Sequence, residues 1–227
     1  MLKRKKENKS EKSRLEMIGF LLIILSILVF IGVLSFELLF NKKDNDAIND
    51  FYKEQEEIKE IISNEPPEVA EEKIEEIKET NVTTYDYIAL LKIDKINLER
   101  GLVSKDSKYN KVSKNIEILK EADMPDVENG NFILAGHSGS GYTAFFKNLH
   151  KLNNDDLVSV FYGGYEYKYK VVNVYDVEKT GTANIIRNKD KTTLTLITCR
   201  HNTNKQIIVI CELVERVWYC WKTILIK

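Results

Sequence analysis

The sequence predicts a mainly β domain, a barrel or sandwich of about 140 residues, held behind one membrane-spanning helix. Three observations predict it. Short β-branched and aromatic runs follow one another from Tyr85 onward with few helical stretches between them. Gly163-Gly164 separates two such runs as a hairpin turn. Met17 to Phe36, "MIGFLLIILSILVFIGVLSF", contains no charge.

The elements follow in chain order. Lys3, Arg4, Lys5, Lys6, Lys9, Lys12 and Arg14 make the start basic. The uncharged, Leu/Ile-rich run after them is long enough to span the hydrocarbon core of a bilayer. A cleaved signal peptide has a shorter apolar region and a small-residue cleavage site, whereas this run leads into Glu37-Leu38-Leu39-Phe40. It therefore reads as an uncleaved signal anchor. The basic cluster before it outweighs Lys42 and Lys43 after it, which places the N-terminus in the cytoplasm and the rest outside a cell membrane crossed once. The net charge of −1 gives no argument for nucleic acid.

Residues 41–80 hold fourteen Asp/Glu against six Lys, with loosely spaced apolar positions such as Ile48, Phe51, Ile58 and Ile61. That composition suits a helical or partly disordered stalk, broken at Pro66-Pro67 and serving as a spacer. Six strand-like stretches follow: "YDYIALLKIDKINLERGLV", "GNFILAGHSG", "LVSVFYGG", "YEYKYKVVNVYDVEK", "TTLTLITC" and "KQIIVICELV". Tyr165, Tyr167 and Tyr169 alternate with Glu166, Lys168 and Lys170, the period of a strand with one buried face.

Two of these runs end on reactive side chains. Leu194, Leu196 and Ile197, mixed with three threonines, close on Cys199, and Phe132-Ile133-Leu134 lead into Ala135-Gly136-His137-Ser138-Gly139. A lone strand-end cysteine is most simply a small core residue. Paired with an imidazole it becomes a candidate nucleophile, because a thiol of pKa about 8.5 is mostly protonated at neutral pH and needs a local base or cation.

The "TLITC" box with Cys199, the "AGHSG" box with His137 and the run "AFFKNLHKLNNDDLVSVFYGG" resemble the sortase family of Gram-positive cell-surface transpeptidases. The likeness covers roughly residues 83–215. It implies an eight-stranded closed β-barrel with short helices, the cysteine ending the seventh strand and the histidine following the fourth. The implied partition is a basic tail 1–16, a transmembrane anchor 17–40, an acidic stalk 41–82, a catalytic domain 83–215 and a C-terminal extension 216–227. The implied reaction is cleavage of an LPXTG-like sorting signal between Thr and Gly through a thioacyl intermediate, then transfer to an amine. Partners would be surface proteins carrying a C-terminal sorting signal, an amine of a peptidoglycan precursor or a pilin, and membrane lipid around the anchor helix. No cofactor or metal is implied.

Sortases carry an arginine at the start of the eighth strand. Counting back from "IIVICEL", the corresponding position reads as Lys205, which keeps the charge and lacks the planar fork. Arg200 is the alternative, but neighbours on an extended backbone point to opposite faces, which turns it away from the thiol. Arg187 is a more distant candidate. His150 and His201 read as solvated residues, and Cys199, His201 and Cys211 lack the paired spacing of a zinc site. Cys211 reads as core and Cys220 as incidental.

The terminal "VWYCWKTILIK" is too short for a second membrane span and is expected to pack on the barrel. Glu65-Pro66-Pro67 does not match the acidic-Pro-aromatic lid of pilin-polymerising sortases. The segment from Lys179 to Lys191 is too short for a long inserted helix. These features favour a general anchoring or class D-like enzyme. An extracellular cysteine peptidase that mainly hydrolyses, a pilin-polymerising sortase, and a non-catalytic wall-binding β domain are the alternatives.

Overall fold

A computed structural model describes residues 2–64 and 86–218. The proline pair at 66–67, Cys220 and most of the C-terminal extension lie outside those residues. The chain forms two compact units, Met1–Asn45 and Asp46–Lys227.

The first helix, α1, is Leu2–Asn64. Its stretch Glu16–Ile58 contains a segment long and apolar enough to cross a membrane. Leu21, Leu22, Leu28 and Phe30 are each more than half exposed. A helix that is apolar on every side, with those sides bare, has the surface of a membrane span.

In the second unit, α1 departs from the expected spacer. Ala47, Ile48, Phe51 and Tyr52 are buried against Tyr87, Leu90, Val103 and Phe161. Tyr52 donates its hydroxyl to Glu99 at 2.7 Å, and Gln55 Oε1 accepts the Gly164 N–H at 2.7 Å. The acidic residues thus occupy only part of the helix surface. The spacing of Ile48, Phe51 and Tyr52, three and four residues apart, makes a narrow apolar stripe that docks on the barrel wall.

The barrel is built from β1 Tyr87–Ile93, β2 Leu98–Val103, β3 Glu117–Ile118, β4 Asn131–Gly136, β5 Leu157–Tyr162, β6 Tyr165–Glu178, β7 Thr193–Cys199 and β8 Lys205–Trp218. They form one sheet in the order β2-β1-β5-β6-β8-β7-β4-β3. The six stretches seen in the sequence supply seven of these strands, "YDYIALLKIDKINLERGLV" splitting into β1 and β2. The two-residue β3 is too short to show a period. The Gly163-Gly164 turn joins β5 to β6 with both residues at positive φ, 57° and 79°, as a two-residue hairpin of this hand requires.

The barrel is nearly closed. No ladder joins β2 to β3, and side chains bridge that seam instead. Asn115 Nδ2 donates to the Gly101 carbonyl at 2.9 Å while its Oδ1 accepts Arg100 Nε at 2.7 Å. Inside, Leu91, Phe132, Leu134, Val158, Val160, Tyr167, Tyr169, Leu194, Leu196, Val209 and Cys211 make one continuous core. The Leu, Val and Phe side chains among them each contribute about 1.5–3 kcal/mol on burial. Burial also pushes the Cys211 thiol well up, so it stays protonated and inert, as a core residue should.

One ladder matters most for the site. β4 and β7 run parallel in the register Asn131↔Thr193 to Gly136↔Thr198. Asn131 Oδ1 accepts both the Thr193 hydroxyl at 3.0 Å and the Thr195 hydroxyl at 2.8 Å, all three residues being buried. At the other end Thr198 Oγ1 donates to the Gly136 carbonyl at 2.6 Å. Asn131→Ala strips the buried Thr195 hydroxyl of its acceptor and leaves Thr193 only the longer bond to the Gly130 carbonyl at 3.3 Å, and should lower unfolding stability by about 1–3 kcal/mol in chemical denaturation. A loss below about 0.5 kcal/mol, the level of an ordinary surface change, would mean these bonds do not hold the register.

Candidate active site

The ends of β4 and β7 bring the two reactive residues together. Gly136 pairs with Thr198, so His137 and Cys199 are the next residues on adjacent parallel strands, which run about 4.8 Å apart. Cys199 is partly exposed and His137 is exposed. Both positions match the strand ends expected from the sequence.

The backbone of His137 is held from one side by the segment that follows it. The Phe146 N–H donates to the His137 carbonyl at 2.9 Å. The Phe146 ring lies so close to Gly136 that a Cβ there would stand 2.8 Å from it. The "AGHSG" glycine before the histidine thus lets an aromatic ring pack directly on the strand. Phe145, the neighbouring ring, stacks under the buried Arg100 guanidinium at 4.2 Å, which ties the same segment to the barrel seam.

A cavity of about 260 Å³ opens at this end of the barrel. Thr198, Cys199, Arg200 and Ile207 wall it on the strand side, His201 at the turn, and Ser138, Phe146, Lys147 and His150 on the side of the β4–β5 connection. His150 and His201, expected to be merely solvated, are exposed and also wall this cavity, whereas His137 stands outside its lining. His150 Nδ1 bonds the Lys147 carbonyl at 3.0 Å, which leaves Nε2 as its free ring nitrogen.

Lys205 has the strand position expected of it, and the pairing across the turn adds a second candidate. Lys205 does begin β8, but the ladder pairs Cys199 with Gln206. Beyond that pair the Arg200 N–H donates to the Lys205 carbonyl at 2.9 Å, so the strands continue one residue further. By alternation Lys205 leaves the sheet on the same face as Arg200, although Arg200 still walls the cavity that Cys199 lines. Their common side is the barrel's inner rim, where β6 presents its carboxylates. Arg200 meets Asp176 at 2.9 Å and Lys205 lies 4.0 Å from Glu178. Both pairs are well exposed and contribute little stability.

Gln206 is the residue that the sequence reading passed over. The signal that could have found it is the length of the turn, residues 201–204, which fixes the pairing across it. Asn202 takes a left-handed φ of 56°, and Thr203 Oγ1 bonds the Arg200 carbonyl at 3.1 Å and the Lys205 N–H at 3.2 Å. Arg187 is removed to the other end of the sheet. Its guanidinium bonds the carbonyls of Asn129, Asn188 and Lys191, near the start of β4 and β7. Cys211 pairs with Leu194, five residues up the ladder from Cys199, so the two thiols share no site.

A nearly closed eight-stranded barrel with a cysteine ending one strand and a histidine after its parallel neighbour defines a class of cysteine transpeptidases. The sortase domain family matches residues 91–214, and the chain belongs to the sortase family and is a cysteine transpeptidase. No curated protein matches in a direct sequence comparison. Among solved structures, a Clostridium perfringens sortase D5 transpeptidase is 27% identical, with 72% of this chain and 98% of that one covered and a TM-score of 0.50. Listeria monocytogenes sortase A is 18% identical, covers 60% of this chain and 92% of its own, and gives a TM-score of 0.51. A Streptococcus pneumoniae sortase C-3 gives 0.53 at 18% identity, with 59% and 65% covered. The last two show the shared fold.

Gly136→Ala should test how the histidine is held. A methyl group 2.8 Å from the Phe146 ring must displace it, and with it the backbone of His137. Folding should cost about 1–3 kcal/mol from overpacking. Turnover of a sorting-signal peptide should fall at least tenfold in the protein that remains folded, since small misplacements of reacting groups are costly. Full turnover in a folded Gly136→Ala protein would show that Phe146 does not position the site.

Proposed function

We propose that this sortase cleaves an LPXTG-like sorting signal between Thr and Gly and joins the new carboxyl end to an amine of the cell wall. The single observation that supports the reading is the β4–β7 register, whose last pair, Gly136 with Thr198, directly precedes His137 and Cys199. In the reaction the Cys199 thiolate adds to the Thr carbonyl carbon, forming a C–S bond while the carbonyl π electrons move to oxygen. Collapse of that adduct expels the Gly amine, which takes a proton from the His137 imidazolium. The acceptor amine then attacks the thioester. A C–N bond forms, the C–S bond breaks, and the neutral imidazole takes the proton the amine loses.

The 27% likeness to the clostridial sortase D5, over nearly all of that chain, supports a class D-like anchoring enzyme. The apolar part of α1 supports a single-pass anchor, and the basic cluster before it supports a cytoplasmic N-terminus with the barrel outside the cell membrane. The surface proteins it acts on would then meet the enzyme as they leave the membrane.

The test is incubation of the full chain with an LPXTG-type peptide, with and without triglycine or another amine. The proposal predicts a transfer product that grows with amine concentration. Hydrolysis indifferent to amine would make the protein a peptidase, and no turnover by folded protein would make it a binding domain. Cys199→Ala should abolish transfer. His137→Ala should lower it by about two to four orders of magnitude, with His150→Ala and His201→Ala near the parent rate, although both line the adjacent cavity. Equal losses from all three histidines would remove His137 from its role.

A further inference from the structure

We infer that Gln206 supplies the third functional side chain beside Cys199, so that a neutral carboxamide stands where this family's pattern leads one to look for a cation. The inference rests on the proposed role of Cys199 and adds to it the donor that meets the substrate.

The ladder argues it directly. Cys199 and Gln206 are partners across β7 and β8, so their side chains leave the sheet on the same face. The next pair outward, Arg200 with Lys205, is the one joined by a backbone hydrogen bond. In an antiparallel ladder the two kinds of pair alternate, so Cys199 and Gln206 form the pair without such bonds. That is the closer kind, with Cα atoms about 4.5 Å apart and side chains in reach of each other. Val177 of β6 is the partner of Gln206 on its other side, and Ile197 and Ile208 share its face two pairs further along β7 and β8.

Of the two nearby cations, Arg200 walls the cavity beside Cys199 but is paired with Asp176, and Lys205 lies outside that cavity's lining. Arg200 and Lys205 share the opposite face and meet Asp176 and Glu178 there. Gln206 is half-buried, and its carboxamide has no hydrogen-bond partner among the described residues. It therefore keeps two N–H donors free on the face that carries the thiol. A scissile carbonyl attacked by Cys199 places its developing oxyanion within reach of such a donor. An uncharged amide can stabilise that oxygen by hydrogen bonding, with less strength than a charge-assisted bond. The titratable groups around the thiol are then His137 after β4, Lys147 and His150 from the following segment, and Arg200 and His201 beyond β7.

Two measurements on the full chain test this. The first needs no sorting signal: the rate of Cys199 alkylation by iodoacetamide as a function of pH, with the site read by peptide mass spectrometry. In Gln206→Glu the half-maximal pH should rise by about one unit, because a carboxylate then faces the thiolate, and in Gln206→Arg it should fall. Lys205→Glu should move it much less. A misfolded variant cannot produce opposite shifts from one position. A larger shift in Lys205→Glu than in Gln206→Glu overturns the inference.

The second is turnover of an LPXTG-type peptide with an amine acceptor. Gln206→Ala should lower kcat by about 10²–10³-fold with KM little changed, as for loss of one oxyanion donor. Gln206→Arg should retain activity, while Lys205→Ala stays near the parent. Full turnover by Gln206→Ala overturns the inference. Alkylation that responds at position 206 in a parent that processes no sorting peptide would keep the pairing and overturn the substrate reading instead.

Discussion

The site depends on a buried asparagine that accepts two threonine hydroxyls. Asn131 at the start of β4 takes bonds from Thr193 and Thr195 of β7, and Thr198 closes the far end of the same ladder on the Gly136 carbonyl. A slip of one residue between these strands would turn every side chain of one of them to the wrong face. It would also leave three buried hydroxyls without partners, each costing on the order of 1–3 kcal/mol. The register is thus specified chemically as well as by packing, and that register sets the ends of the strands level.

The alternation in "TLTLITC" has a division of labour that the parallel pairing explains. Leu194 and Leu196 fill the barrel, while Thr193 and Thr195 anchor β7 to β4 on the other face. Cys199 belongs to the anchored face and emerges where the ladder ends. The histidine is placed by the same ladder and then fixed by its own following segment, through Phe146 and the glycine that admits its ring. Cys199, the proposed nucleophile, ends β7, and His137, the proposed acid, directly follows β4, which limits the freedom each would lose on meeting a substrate.

Much of this was legible in the sequence because the relevant signals are local. Apolar runs ending on Cys199 and His137, the period-two tyrosines and the Gly163-Gly164 turn each report their own strand without knowledge of its neighbours. The third side chain was illegible for the converse reason. Lys205 and Gln206 are consecutive, and which of them faces the thiol depends on pairing across a four-residue turn, settled by Asn202 and Thr203. The docking of Phe51 and Tyr52 on the barrel was hidden by the acidic residues that share their helix. The two-residue β3 has no pattern to read, and its seam is held by Asn115 and Arg100, whose buried bonds only the assembled barrel reveals.

Since the β4–β7 ladder ends on Gly136 and Thr198, residue 137 should stand against Cys199. Disulfide capture measures it without any substrate. In His137→Cys, mild oxidation should link positions 137 and 199 rapidly, because neighbouring strands keep Cα atoms inside the roughly 4.4–6.8 Å that a disulfide accepts. His150→Cys and His201→Cys, on the cavity side, should link slowly or not at all. Rapid capture from either of those two positions with none from position 137 would contradict the account and move the catalytic acid into the cavity at the barrel's end.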